Sequence, residues 1–231
     1  LNNLQNIFKI SSGDNNFIPL INKVFQFNKP TIVSTGLADI KSLKKVYKIW
    51  SDFNKKFELA FLHCVSSYPV PDKEANVTAI KHLSEEFSDV KIGYSDHTLG
   101  IDACLLAVSL GAKIIEKHFT LDKNFSDFRD HHLSADPKEL QLLVKKIRRY
   151  ETLMGDGIKK IESSEYQLKD VVRRSIASAR EIPLGKKIEL DDLTWVRPGT
   201  GMPIGEEFLL IGNFTNRKIS QGELISLDMI N

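Results

Sequence analysis

Polar and titratable side chains recur along the first two thirds of the chain, each directly after a short apolar run. His97 and His118 follow two consecutive runs of this kind, and Glu116 lies two residues before His118. Imidazole nitrogens bind divalent metal ions at about 2.1 Å, and neighbouring parallel strands lie about 4.8 Å apart. The two histidines could therefore share one metal ion, or each could be a hydrogen-bonded residue that ends a strand. Spacing alone leaves both interpretations open.

A second pattern is suited to binding an anion. Lys9 is followed by the turn Ser12-Gly13-Asp14, which places a point charge, a hydroxyl and turn N–H groups close in sequence. These are donors that phosphate groups use in proteins. The alternative is a solvated lysine before an ordinary turn. His63, in contrast, lies within an apolar run and is predicted to be buried, and His82 lies on a polar helix and is predicted to be exposed.

The apolar runs predict β-strands that alternate with helices from Ile7 to about Gly155. The predicted strands are Ile7–Ser11, Thr31–Ser34, Glu58–His63, Lys91–Tyr94 and Lys113–Lys117. Five successive βα units are typical of a parallel α/β sheet, either open or forming the larger part of an eight-unit (β/α)8 barrel. In such a barrel the site lies at the carboxyl ends of the strands, where the polar residues fall. Because side chains alternate along a strand, Glu116 and His118 should face one side and Lys117 the other.

The pattern changes after Glu151, where long helical periods give way to short β-type runs. These runs are Ser175–Ala179, Thr194–Val196, Arg217–Ile219 and Leu224–Ser226. We therefore predict an α/β domain over residues 1–155, a polar linker over 156–170 and a small, mostly β domain over 171–231. The last domain is near the lower size limit for independent folding.

Composition excludes several classes of protein. The chain has 231 residues, of which 42% are hydrophobic and 27% are charged, as in ordinary folded domains. Lysine and arginine number 32 against 30 aspartate and glutamate, so no nucleic-acid partner is expected. The longest apolar run, 103–111, is too short to cross a membrane, and no membrane association is expected. The two cysteines, Cys64 and Cys104, lie in apolar stretches, which favours reduced thiols and a cytoplasmic location.

Several segments, taken together and in this order, resemble the sialic acid synthase family, which includes N-acetylneuraminate and N,N'-diacetyllegionaminate synthases. They are Lys9–Asp14, Ser34–Gly36, His63–Pro69, Gly93–Thr98, Ile115–Thr120 and Asp130-His131. The tail from Arg173 to Gly201 is similar to the antifreeze-like (SAF) domain that ends members of that family. The resemblance implies a partial TIM (β/α)8 barrel, comprising about the last five βα units, followed by a small, mostly β SAF domain.

The resemblance also implies an activity. Members are transferases that condense phosphoenolpyruvate with an N-acylated amino-hexose, giving a nonulosonic acid and phosphate; the expected sugar is N-acetylmannosamine or 2,4-diacetamido-2,4,6-trideoxymannose. The implied catalytic residues are His97, His118 and Glu116, and the two histidines are the implied ligands of a divalent ion, manganese or magnesium. The implied phosphoenolpyruvate contacts are Lys9, Ser12, Ser34, Ser66 and Ser95. The implied sugar contacts are Tyr68, Asp130 and Arg197, the last reaching across from the partner subunit of a domain-swapped homodimer.

The sequence departs from the family at three points. Ser11 stands where members commonly have glycine. Ser66 stands where members often have asparagine. The chain begins at what corresponds to the fourth barrel strand, so we expect an N-terminally truncated synthase that is inactive alone. The pair Asp130-His131 favours a neuraminate or legionaminate product over a pseudaminate one. The alternatives are a pseudaminate synthase, another 3-deoxy-sugar-acid synthase, and a non-catalytic relic that binds saccharides.

Overall fold

Five parallel strands form the sheet of the first part of the chain. The structure, a computed structural model, describes residues 5–126 and 129–231. The strands are β1 Phe8–Ile10, β2 Thr31–Ser34, β3 Leu59–Cys64, β4 Lys91–Asp96 and β5 Ile115–Lys117. Each strand pairs with the next in the chain, so the spatial order is the chain order. This order confirms the prediction of successive βα units.

Helices connect the strands and cover the sheet. They are α1 Ile18–Phe25, α2 Ile40–Asp52, α3 Ala79–Glu86, α4 Asp102–Ser109, α5 Arg129–Leu133 and α6 Pro137–Met154. The start of α2 is fixed by Asp39, whose carboxylate accepts a hydrogen bond from the Ser42 N–H at 2.8 Å. One stripe of α2 is buried against the sheet, through Leu43, Val46 and Trp50.

Aromatic side chains fill the space between the sheet and its helices. Phe25 and Phe61 are fully buried, and the Phe61 and Phe87 rings meet edge to face at 5.2 Å. The buried indole of Trp50 donates a hydrogen bond to the Phe57 carbonyl at 2.9 Å, so its polar atom is satisfied. This core packs against one face of the sheet and holds the strands in place. The carboxyl ends of the strands remain available to form the site.

The sheet is strongly curved. β1 and β5 lie at its opposite edges, and in a flat sheet they would be about 19 Å apart. Nevertheless the ammonium of Lys9 on β1 lies 3.2 Å from a carboxylate oxygen of Glu116 on β5. Because the two side chains together cannot span the flat distance, the five strands must bend into a half-barrel. The predicted partial barrel is confirmed.

The observed strands differ from the predicted ones at their ends. β3 continues to Cys64 and β4 to Asp96, because Cys64 pairs with Ser95 and Asp96 pairs with Lys117. β1 and β5 have three residues each and are shorter than predicted. As edge strands of the described sheet, each pairs on one side only.

Residues 158–231 form a second compact unit. It contains α7 Tyr166–Val172 and a two-stranded antiparallel sheet of β6 Ser175–Ser178 and β7 Leu193–Val196. Its core is a cluster of apolar side chains, namely Ile176, Ile182, Ile188, Leu193, Leu210, Ile219 and Ile225.

Two predicted strands of this unit are not strands in the structure. The segments Arg217–Ile219 and Leu224–Ser226 make single bridges, Ile219 with Ile182 and Leu224 with Ala177. The turn between them contains Gly222, whose φ of +80° favours glycine. The first unit ends at Gly157, and the predicted linker 156–170 includes the start of α7. No helix within the described ranges has both the length and the apolar character needed to cross a membrane.

Candidate functional site

A polar cavity of about 450 Å³ opens at the carboxyl ends of the five strands. Its lining residues are Lys9, Ser11, Ser12, Gly13, Ser34, Leu37, Cys64, Ser66, Tyr68, Ser95, His97, Glu116 and His118. Every site residue that the sequence predicts in the first unit lines this cavity, with the exception of Asp130. Asp130 is close by, since one of its carboxylate oxygens lies 3.8 Å from Nδ1 of His118.

One side of the cavity carries its positive charge. Lys9 donates a hydrogen bond to Ser34 Oγ at 2.8 Å and forms the ion pair with Glu116. The hydroxyl of Ser95 donates to the other Glu116 oxygen at 2.7 Å. Glu116 is therefore held by a cation and a hydroxyl from two different strands.

Two serine hydroxyls converge beside Gly36. A Cβ added to Gly36 would lie 2.2 Å from Ser66 Oγ and 2.7 Å from Ser12 Oγ, so only glycine allows this approach. Ser66 Oγ is buried and has no hydrogen-bond partner among the described residues. An unsatisfied buried hydroxyl costs about 1–3 kcal/mol, which a bound oxygen-rich anion would offset.

The two histidines lie next to each other, directly after β4 and β5. Their ring centroids are 5.2 Å apart, and the Tyr68 ring lies 4.2 Å from that of His97. His97 Nδ1 lies 2.9 Å from the Val65 carbonyl; since a carbonyl only accepts, Nδ1 carries the proton there and Nε2 keeps a lone pair in the neutral ring. Burial, together with the charge of His97, lowers the pKa of His118. Burial would also lower the pKa of His97, but its contacts with Cys64 and the Val65 carbonyl raise it.

These donors fit a divalent metal ion. A metal-binding histidine commonly donates its second ring N–H to a carbonyl, as His97 does. The described residues contain no group of three or more histidine, cysteine or carboxylate side chains placed to hold an ion. His97 and His118 would therefore supply two ligands and leave the other positions to water or substrate, as in catalytic sites.

The strand alternation predicted from the sequence is confirmed. Lys117 points away from the cavity and donates hydrogen bonds to Asp96 and to the Thr98 carbonyl, whereas Glu116 and His118 line the cavity. His63 is buried, with Nε2 2.9 Å from the Ala75 carbonyl, and His82 is exposed, both as predicted. Burial lowers the pKa of His63.

Asn15 and Cys64 were not among the predicted site residues, yet one supports the cavity and the other lines it. Asn15 is buried and donates to the carbonyls of Ser34 and Gly36 at 3.1 and 2.8 Å, which fixes the loop after β2. The Cys64 thiol lines the cavity and accepts from Ser12 Oγ at 3.4 Å. Strand alternation pointed to Cys64, because its neighbour His63 faces the core. No sequence pattern pointed to Asn15.

Arg197 belongs to the second unit and lies in a cleft of about 600 Å³ there. Its Nε donates to the Val172 carbonyl at 2.8 Å, which orients the guanidinium group. Other cations line the same cleft, namely Lys169, Arg173 and Arg174. Within its own unit Arg197 is thus part of a basic cleft.

A half-barrel with polar residues at its strand ends, followed by a small β unit, defines a class of TIM-barrel-like synthases. Residues 1–159 match the NeuB family, and residues 173–231 match the SAF domain. The chain belongs to the NeuB family.

Curated relatives carry three related names. The chain is 40% identical over 222 residues to N,N'-diacetyllegionaminic acid synthase of Campylobacter jejuni, covering 95% of this chain and 65% of that protein. It is 36% identical to N-acetylneuraminate-9-phosphate synthase of Mus musculus, covering 89% and 56%. It is also 36% identical to pseudaminic acid synthase of C. jejuni, covering 94% and 62%. The chain thus spans less than two thirds of the length of these relatives.

Two solved structures support the fold. The N-acetylneuraminic acid synthetase of Leptospira borgpetersenii, in complex with citrate, matches with a TM-score of 0.64 and 37% identity over 70% of this chain and 55% of that one. The spore coat polysaccharide biosynthesis protein spsE of Bacillus subtilis matches with a TM-score of 0.62 and 32% identity over 97% of this chain and 67% of that one.

Proposed function

We propose that the protein is a nonulosonic acid synthase that joins phosphoenolpyruvate to an N-acylated amino-hexose and releases phosphate. The observation that carries the proposal is the convergence of a lysine, five serines, a carboxylate and two histidines in one cavity at the strand ends. Three relatives named as synthases of such acids support it. The enzyme is accordingly a transferase.

Phosphoenolpyruvate would bind at the part of the cavity that Lys9 and the serine hydroxyls line. Lys9 supplies a positive charge, and Ser12, Ser34, Ser66 and Ser95 supply hydroxyls that can donate to phosphate or carboxylate oxygens. The unpartnered hydroxyl of Ser66 supports this placement, since a bound anion would satisfy it. The ligand would thus lie between the serine hydroxyls and Glu116.

The sugar would bind at the β4 and β5 side, beside the histidines. His97 and His118 would hold a divalent ion, for which manganese and magnesium remain the predicted choices. When bound, such an ion polarises the sugar aldehyde and makes its carbonyl carbon electrophilic. Tyr68 and Asp130, which lie next to the two imidazoles, would hold the sugar hydroxyls.

The reaction then proceeds by carbon–carbon bond formation. The methylene carbon of phosphoenolpyruvate attacks the aldehyde carbon, water adds at the adjacent carbon, and phosphate leaves with cleavage of its C–O bond. Glu116 is the carboxylate that lines the cavity in the described structure, and we assign to it the proton of the attacking water. Lys9 and Ser95 hold this carboxylate in place.

The test is phosphate release by the protein that carries this chain, with phosphoenolpyruvate, manganese and N-acetylmannosamine or its 2,4-diacetamido-6-deoxy relative. Replacing His97 or His118 with alanine should reduce the rate at least 100-fold, and His82→Ala, an exposed histidine, is the matched control and should leave it unchanged. Release unaffected by either substitution or by chelation would contradict the proposal. Sugar binding without any release would favour the saccharide-binding relic.

The substrate is proposed from one local feature. Asp130 lies beside His118 at the cavity, and the pair Asp130-His131 favours neuraminate or legionaminate chemistry. Competition among the candidate sugars, measured as kcat/KM, distinguishes these from a pseudaminate synthase. Turnover of a phosphorylated aldose instead would favour another 3-deoxy-sugar-acid synthase.

We also propose that the functional protein is a homodimer in which Arg197 completes the partner's site. Lys9 is the single lysine or arginine lining the described cavity, and it is already paired with Glu116. An anionic substrate would therefore gain from a further cation. Mixing an Arg197→Ala protein with a His118→Ala protein should restore part of the activity through heterodimers. No recovery after proven subunit exchange would exclude action in trans.

A cytoplasmic location stays a prediction.

A further inference from the structure

The last residues of β4 and β5 form an ion pair behind the candidate site. Asp96 and Lys117 are direct partners in the register of the two strands, and Lys117 Nζ donates to Asp96 Oδ2 at 2.6 Å. The side chain of Asp96 is fully buried and that of Lys117 is 3% exposed. Neither residue lines the cavity, since each faces the opposite side of the sheet from its neighbours.

The pair is embedded in a dense set of hydrogen bonds. Asp96 Oδ1 accepts from both the N–H and the hydroxyl of Thr98 at 2.8 Å, and Oδ2 also accepts from Cys104 Sγ at 3.2 Å. Lys117 donates to the Thr98 carbonyl at 2.9 Å. These contacts join β4, β5 and α4. Because desolvation offsets most of the attraction in a buried pair, its main effect is to fix geometry.

The residues that follow the pair are the two histidines of the site. His97 lies between Asp96 and Thr98, which are hydrogen-bonded to each other, so its backbone is held on both sides. His118 follows Lys117 directly. The structure gives the His118 ring no hydrogen bond within the described residues, only its 3.8 Å approach to Asp130 and its ring contacts. Its position therefore depends on its backbone, which Lys117 anchors on one side and the hydrogen bond from the Ala135 N–H to the His118 carbonyl at 2.7 Å holds on the other.

We propose that Asp96 and Lys117 are positioning residues, whose ion pair sets the separation of His97 and His118 and thereby tunes the binding of a divalent ion. The part that concerns the ion rests on the proposed function. The part that concerns the separation of the rings is a property of these two strands and holds with or without an ion.

The test compares single and double substitutions of the pair. Asp96→Asn or Lys117→Met leaves one buried charge unpaired, and each should lower the midpoint of thermal unfolding. The double variant removes both charges at nearly unchanged volume, so it should regain most of that midpoint while losing the link between the strands. The matched control is Lys55→Met with Asp89→Asn, an ion pair of the same unit that precedes β3 and β4 at their amino ends.

Two measurements on the full chain separate positioning from simple stability. The first is the dissociation constant of Co²⁺ by calorimetric titration, which should rise about 10- to 100-fold in the double variant and not in the control. The second is the proton–proton Overhauser contact between the two imidazole rings in the metal-free protein, with labelled histidine. This contact is expected in the parent and control proteins and should weaken or vanish in the double variant.

The outcomes distinguish this inference from the proposed function. If the double variant keeps the parental ring contact, the positioning role is overturned, whatever happens to Co²⁺. Unchanged Co²⁺ affinity in the double variant would also overturn it. A parent protein that binds no Co²⁺, together with loss of the ring contact in the double variant, would remove the proposed metal site and leave the positioning role standing.

Discussion

Ser66 carries a buried hydroxyl without a partner in the described part of the chain, beside Gly36. Ser66→Ala removes a buried hydroxyl that costs about 1–3 kcal/mol and breaks no hydrogen bond, so without ligand it should leave the free energy of unfolding unchanged or raise it by up to about 3 kcal/mol. If this hydroxyl binds the substrate anion, phosphoenolpyruvate affinity should fall at least about tenfold. Thermal unfolding with and without phosphoenolpyruvate measures both effects. Ser67→Ala, whose exposed hydroxyl donates to the Pro69 carbonyl, is the control. Undiminished affinity would argue against the contact.

Gly36 lets the serine hydroxyls of the cavity converge. Gly36→Ala places a methyl group within 2.2 Å of Ser66 Oγ and 2.7 Å of Ser12 Oγ, so both must move. We expect a loss of phosphoenolpyruvate affinity of at least about tenfold, from displaced hydrogen-bond donors. Gly13→Ala is the control on the same cavity, since a Cβ there meets nothing within 4 Å. Equal calorimetric affinities for the two variants would contradict this role of Gly36.

At the residue scale, the sequence identified side chains whose chemistry is visible in their type. Lys9, Glu116 and the histidines fall at predicted strand ends, and alternation along a strand assigns each a face. The role of Asn15 was not predicted, because it binds carbonyls 19 and 21 residues further along the chain, and only folding brings these groups close together. The buried ion pair between Asp96 and Lys117 was not predicted, because the presence of two oppositely charged residues in a sequence does not indicate that they are buried.

At the scale of elements, Asp192 anchors the turn before β7. It is buried and accepts hydrogen bonds from Lys186, Arg180 and the Glu189 N–H. Burial alone would raise the pKa of Asp192, but these donors lower it from 3.8 to about 2. The unfolded chain therefore binds this proton more readily than the folded unit. The resulting stabilisation is complete above about pH 4 and is lost as the pH falls toward 2.

Replacing Asp192 with asparagine should remove this pH dependence. The variant should be less stable than the parent at pH 6, by about 2 kcal/mol for the lost charged hydrogen bonds, and the gap should close as the pH falls from 4 to 2. The indole N–H signals of Trp50 and Trp195 report the two units separately in denaturant titrations followed by NMR. A gap that stays constant with pH, or one confined to the Trp50 signal, would contradict the assignment.

The elements of the first unit were predictable because a parallel sheet buries both faces and so leaves apolar runs of a recognisable length. The ends of β3 and β4 were not, since they depend on pairing across strands. In the second unit, the short runs around Ile219 and Leu224 have a strand-like composition, yet each makes a single bridge. Composition indicates β-type backbone there, but turn geometry decides whether a ladder forms.

At the scale of the whole molecule, both edges of the sheet and one helix face lack cover in the described structure. An apolar groove of about 810 Å³ runs along α6, where Leu142 and Val144 are 44% and 49% exposed. β1 and β5 each have one unpaired edge. We expect the 231-residue chain alone to self-associate and to release no phosphate from the proposed substrates.

Sedimentation velocity and the phosphate assay test this expectation together. Val144→Glu places a charge in the groove and should shift the population toward monomer without restoring activity, while Lys145→Glu, a charge change at a polar position beside it, is the control. A monodisperse, active chain would contradict the expectation.

The sequence resemblance predicted the half-barrel and the SAF unit correctly, but the choice of sugar depends on contacts that a fold does not specify.

The ion pair between Lys9 and Glu116 also bears on the order in which the half-barrel folds. Each strand pairs with the strand made just before it, so the sheet can grow by one strand at a time as the chain leaves the ribosome. The partners of the ion pair are on the first and last of these strands, and they can meet only after the intervening three are in place. Pairing of neighbours is local and fast, whereas this closing contact spans most of the unit. The cavity can therefore close only once all five strands have been made and paired.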